Sequence, residues 1–238
     1  MNCLFHDYCK NTTGYPKPSC HAVCHDGVKA YCPYHFQLAN IISREGKLCG
    51  YELTSSWLTQ KLTGKQASEQ SLYFTLAYNA MLKRLLRRLT QSSFPGESQL
   101  KIFLKLPRHI LMDTATVKQL LNLNSVMTAQ SHTLVMVINC LDLALAPYTK
   151  QAEFLLKDHG AQFALTCNLD TQLKHIQPAE ILLFSADELQ HKLSDNINYI
   201  TDYLFSLNEK GFVLTLCDTV TPENYTQGLI LPFRYFKS

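Results

Sequence analysis

From residue 36 onward, short apolar runs alternate with longer stretches in which apolar residues recur every third or fourth position; before it they do not. FQLANII and LCGYELTSSW read as strands joined by the turn SREGK. ASEQSLYFTLAYNAMLKRLLRRLTQ has helical spacing, with Lys83, Arg84, Arg87 and Arg88 near its C-terminal end, where cations complement the helix dipole. LKIFLKL predicts a strand and ATVKQLLNLN a short helix. HTLVMVIN is almost continuously apolar and rich in β-branched residues, as expected of a strand covered on both faces. PYTKQAEFLLKDHG predicts a helix closed by Gly160. QFALTC, EILLF and GFVLTLC are further strands, the last two separated by the helix NINYITDYLFSLNEK, and the run GLILPF comes near the chain's end. Repeated strand–helix units call for a mostly parallel sheet or a barrel.

Residues 1–35 lack such periodicity and carry the turn formers Asn11, Gly14, Pro16, Pro18, Gly27 and Pro33. So short a segment buries little core of its own, and a bound metal supplies the missing stability. Of nine cysteines, five (Cys3, Cys9, Cys20, Cys24, Cys32) fall here. Cys49, Cys140, Cys167 and Cys217 are dispersed among apolar neighbours and read as small buried hydrophobes. CHAVCHDGVKAYCPYHF supplies two ligands on one turn and two after a short loop, the arrangement of a tetrahedral zinc site: Cys20, Cys24, Cys32 and His35. A set using Cys3 and Cys9 with two later ligands competes with it, as do free thiols and disulfides. A closed four-ligand zinc would be structural, leaving no position for substrate.

The chain of 238 residues, 46% hydrophobic and 17% charged, has the composition of a globular protein, and its formal charge of +3 does not by itself imply nucleic acid or anionic membrane. No apolar run reaches the roughly 18–20 residues of a membrane span, and MNCLFHDYCKN lacks the pattern of a secretory signal, so a cytoplasmic protein is expected.

The order of these elements, and the words inside them, resembles the EAL-domain family of bacterial cyclic di-GMP phosphodiesterases, from about Phe36 to Phe236. FQLANIISREGKLCGYELTSSW is similar to the family's opening hairpin and signature strand, with Glu52-Leu53-Thr54 where Glu-Ala-Leu is expected. FLKLPRHIL resembles the Asn-Leu-Ser-Pro-Arg strand end and keeps Pro107-Arg108. LVMVINC, FALTCNLD, ILLFSADEL, VLTLCDTVTPEN and TQGLILP resemble, in order, the Leu-Glu-Ile-Thr-Glu strand, the paired aspartates, the Lys-Ile-Asp motif, the Glu-Gly-Val-Glu-Thr segment and the closing Gln-Gly turn. The resemblance implies an α/β fold, a modified TIM-type barrel over residues 36–238 behind a Cys/His-rich segment of residues 1–35. Only Tyr225, Thr226 and Gln227 stand where the family has a full helix and loop, so the barrel is expected to be trimmed there.

The family's chemistry uses oxygen ligands for two divalent cations, Mg²⁺ or Mn²⁺, which activate water. Here Glu52 remains, while the other expected ligand positions fall on Leu104, Val137, Cys140, Thr166, Cys167, Leu183, Ser185, Cys217 and Val220. The phosphate-contacting arginine falls on Ser56. One carboxylate cannot hold two hard cations, and Leu, Val and Cys are poor partners for them. The expectation is a pseudo-enzyme with a vestigial Glu52, binding neither cyclic di-GMP nor Mg²⁺ or Mn²⁺, with Leu104, Val137, Leu183 and Val220 packing the old mouth. Asp170 and Asp218 are the nearest acids and the best residual argument for activity. The implied function is regulation by contact with another protein, such as a transcriptional, motility or biofilm regulator. Competing readings are nucleic-acid binding through the zinc segment and the basic helix end, and residual phosphodiesterase activity. Lys83, Arg84, Arg87 and Arg88 are the candidate partner-binding residues, and no membrane partner is expected.

Overall fold

The computed structural model describes residues 22–25, 28–31, 36–55, 70–91, 99–139, 145–170, 181–219 and 221–237. Two short strands, β1 (Ala22–His25) and β2 (Val28–Tyr31), pair antiparallel apart from the main sheet. The main sheet begins with the hairpin of β3 (Phe36–Ser43) and β4 (Leu48–Ser55), turned at Gly46 with φ +74°. It continues through β5 (Lys101–Lys105), β6 (Thr133–Asn139), β7 (Gln162–Thr166), β8 (Ile181–Ser185), β9 (Val213–Cys217) and β10 (Phe233–Lys237). These eight strands close in the order β10-β3-β4-β5-β6-β7-β8-β9. All neighbouring pairs are parallel except those made by β3, which runs antiparallel to both β10 and β4. This is a modified TIM-type barrel, as the sequence suggests.

The near-continuous apolar strands follow from burial on two faces. Phe103, Val135, Val137, Ala164, Leu183, Cys217 and Tyr235 form a core inside the barrel. The alternate residues, among them Leu53, Leu104, Met136, Leu165, Phe184 and Leu216, pack outward on the helices. The helices are α1 (Gln70–Leu89), α2 (Thr114–Ala129), α3 (Ala146–Asp158), α4 (Ala186–Glu209) and α5 (Pro222–Ile230). Asp113 caps α2, accepting from the Thr116 N–H at 2.8 Å, and accepts from Asn79 Nδ2 of α1 at 3.0 Å. Hydrogen bonds from Thr116 and Asn79 hold its carboxyl below the usual carboxylate range.

The structure differs from the sequence reading at three elements. The short helix ATVKQLLNLN extends to Ala129. NINYITDYLFSLNEK forms the second half of a longer α4, broken at Asn196 (φ −157°, ψ 84°), whose Oδ1 accepts from the Tyr199 N–H at 3.2 Å and so caps the new start. Near the end, Gly228, Leu229 and Ile230 of GLILPF are helical, and the closing strand is FRYFK. Pro222 in the first turn and the Thr221 cap start that helix, and Gly228 lets it sit so close that a Cβ there would collide with Phe236 and Leu216. Where the barrel was expected to be trimmed, the structure thus has a nine-residue helix and a strand that closes the barrel.

Candidate functional site at the barrel mouth

Parallel strands deliver their C-terminal ends to one rim, where side chains from different strands converge. Two strands away from β10, Glu52 points inward from β4 and is 8% exposed. The strand between, β3, presents only the small Ala39 opposite Glu52, and Ile41 opposite Lys237. Across that gap, Lys237 Nζ donates to Glu52 Oε1 at 3.3 Å and Oε2 at 3.2 Å. Asp218 Oδ1 lies 3.8 Å from the same ammonium. Thr219 secures the end of β10, its backbone N–H and its hydroxyl each donating to the Lys237 carbonyl at 3.0 Å.

Burial by itself would lower the Lys237 pKa; attraction to Cys217, Glu52 and Asp218, with the hydrogen bonds to Glu52, outweighs it and raises the value above that of an ordinary lysine. The Cys217 contribution requires a thiolate, and burial pushes that thiol up to about 12. Glu52 and Asp218 therefore hold the ammonium, and Cys217 is a protonated thiol at neutral pH.

Of the positions where family ligands are expected, Val137 and Leu183 lie in the barrel interior as anticipated. Leu104 does not: it pairs in register with Leu53 and Met136 and packs outward under the helices, so it cannot fill the mouth. Strand parity is the reason, since Leu104 is one residue out of phase with the inward Phe103. Cys167 likewise belongs to the outer core, while Thr166 and Ser185 are half-buried at their strand ends. Asp170 is exposed and bound to Lys192 of α4 at 2.7 Å, and the Asp218 side chain is 60% exposed. Neither acid joins Glu52 in a ligand set: no group of three or more His, Cys, Asp or Glu fit for a metal occurs among the described residues.

Ser56, Cys140 and Val220 lie outside the described residues, as do Cys3, Cys9, Cys20, Cys32 and His35 of the zinc expectation; for Cys24 only the backbone, in β1, is described. In the basic end of α1, Lys83 and Arg87 are exposed, whereas Arg84 and Arg88 are half-buried and already engaged within the fold. Lys237 is the site residue that the sequence reading missed. Its signal was a cation two residues beyond the inward Tyr235 in the strand FRYFK.

The retained Arg108 is structural. It opens a 3-10 turn (Arg108–Met112), and its Nε and Nη2 donate to Glu153 Oε1 and Oε2 of α3 at 2.8 and 3.0 Å. Nε also reaches Thr149 Oγ1 at 3.2 Å.

No family model and no curated protein matches the chain. Solved structures do. An EAL-domain protein from Listeria monocytogenes superposes with a TM-score of 0.55 at 10% identity, covering 85% of both chains. The S helix-GGDEF-EAL portion of Vibrio cholerae LapD, bound to cyclic di-GMP, gives 0.64 at 13%, covering 85% of this chain and 52% of that one. BlrP1 of Klebsiella pneumoniae, in complex with calcium and cyclic di-GMP, gives 0.59 at 12%, covering 87% and 55%. The chain thus spans about half the length of these last two proteins. The likenesses show an EAL-like barrel fold. No helix among the described residues is long and apolar enough to cross a membrane.

Proposed function

We propose that this protein is a catalytically inactive EAL-like barrel that regulates another protein by direct contact. The observation that carries the reading is the Lys237–Glu52 pair. The one retained acid of the signature strand is neutralised by an ammonium belonging to the chain itself, at 3.2 Å. A divalent cation beside Glu52 would have to displace that ammonium. It would then find an exposed aspartate, a protonated thiol and apolar side chains where hard cations need several oxygens. Without the metals no water is activated for attack on phosphorus.

Residues 1–35 form, in this reading, a segment folded around one structural zinc held by Cys20, Cys24, Cys32 and His35, with Cys3 and Cys9 as the competing ligands. About one zinc per chain should remain after washing with a weak chelator and should be lost in Cys32→Ser. Zinc retained by that variant would point to the competing ligand set.

The enzymatic half of the proposal is tested by incubating the purified chain with cyclic di-GMP and Mg²⁺ or Mn²⁺ and separating the products. No linear dinucleotide is expected. Metal-dependent product that disappears in Glu52→Gln would establish residual phosphodiesterase activity and overturn the reading.

A further inference from the structure

The opposite, N-terminal end of the barrel carries a second group of charged side chains with no part in the mouth. Lys101 begins β5, Gln162 begins β7, Cys49 lies near the start of β4, and Arg234 and Tyr235 are adjacent on β10. Lys101 shares the inward parity of Phe103, as Gln162 does that of Ala164, so both ends converge below the interior core. Lys101 Nζ donates to Gln162 Oε1 at 2.6 Å, spanning β6. Arg234 leans over the Tyr235 ring, its guanidinium carbon 5.7 Å from the centroid. Tyr235 belongs to the same interior core as Phe103, with Cys49 packed against it, and Arg234 and Cys49 are both within electrostatic reach of Lys101 and of Tyr235.

Two cations lie within electrostatic reach of each other here, and no carboxylate partner is found for either among the described residues. Lys101 is half-buried, and burial followed by repulsion from Arg234 lowers its pKa. A cation held half-buried next to another cation is unfavourable unless an anion joins them. The donors that remain are suited to that: two ammonium protons of Lys101, the Arg234 fork and the Gln162 amide, whose oxygen is turned to Lys101.

We propose that this end of the barrel is an oxyanion site, in which Lys101, Arg234 and Gln162 bind a phosphate group. Donors approaching from three separate strands surround a tetrahedral oxyanion better than a planar carboxylate, which one guanidinium fork satisfies. The site is independent of the Lys237–Glu52 mouth, so it stands whether or not the protein hydrolyses cyclic di-GMP.

The probe is inorganic phosphate, added to the full chain at constant ionic strength against chloride and against acetate, with thermal unfolding as the readout. Phosphate should raise the unfolding temperature more than either. Its apparent affinity should fall about tenfold in Arg234→Gln and in Lys101→Met, each of which removes one charged donor, and stay unchanged in Lys118→Met, an exposed lysine on α2. Arg234 is exposed, so its variant keeps the fold and a clear baseline. A phosphate effect no larger than that of chloride, one equalled by acetate, or one retained in both Arg234→Gln and Lys101→Met would overturn the proposal.

Discussion

Arg108→Ala is expected to lose about 3–5 kcal/mol of stability, the range for removing one partner of a buried ion pair. The Arg108 and Glu153 side chains are 7% and 17% exposed, and the guanidinium grips both carboxylate oxygens. Truncation leaves Glu153 without its counter-charge beneath α3, and Thr149 with one hydrogen bond fewer. The 3-10 turn that Arg108 opens also carries the buried Ile110 and Leu111, so its anchorage on α3 is lost with the charge. Chemical denaturation measures this directly. Arg108→Lys should recover only part of the loss, because an ammonium cannot reproduce the two parallel bonds. A loss below about 1 kcal/mol would place the pair among those that contribute as little as surface ion pairs.

Lys237→Met is the second large effect, expected at about 3 kcal/mol at neutral pH because Glu52 is left buried without its cation. Glu52→Gln in the same chain should restore much of that, and the double-mutant cycle isolates the coupling. The pH dependence carries its own signature. The folded-state pKa of Lys237 is raised, so its stabilisation is fully present below the unfolded lysine value of about 10.4 and lost as pH climbs through the higher folded value. Wild type and Lys237→Met should therefore differ by a constant amount across neutral pH and converge only in strong alkali. Parallel curves into strong alkali would remove the ammonium from the account.

The barrel was legible because its strands are covered on both faces and its helices keep apolar spacing, as in HTLVMVIN and PYTKQAEFLLKDHG. What escaped the sequence depends on parity and on neighbours distant in the chain. Leu104 and Phe103 are equally apolar, and only register with Met136 and Val135 separates the outward one from the inward one. Lys237 lies 185 residues from Glu52, and nothing local in FRYFK marks the pairing that ring closure through β3 creates. The last helix was missed because GLILPF reads as a strand by composition, whereas the cap at Thr221 and the close approach at Gly228 belong to tertiary structure. The expectation that the oxygen ligands are lost rests, by contrast, on residue types alone.

The central claim is that an internal ammonium stands where the fold's relatives would be expected to hold metal, and manganese tests it most directly. Titrating Mn²⁺ into the full chain, with the sharp resonance of free aqueous Mn²⁺ followed by electron paramagnetic resonance, should give the same signal for wild type and Glu52→Gln, with or without cyclic di-GMP. A stoichiometric loss of free Mn²⁺ signal in wild type that Glu52→Gln abolishes would show a metal site at the barrel mouth and contradict it.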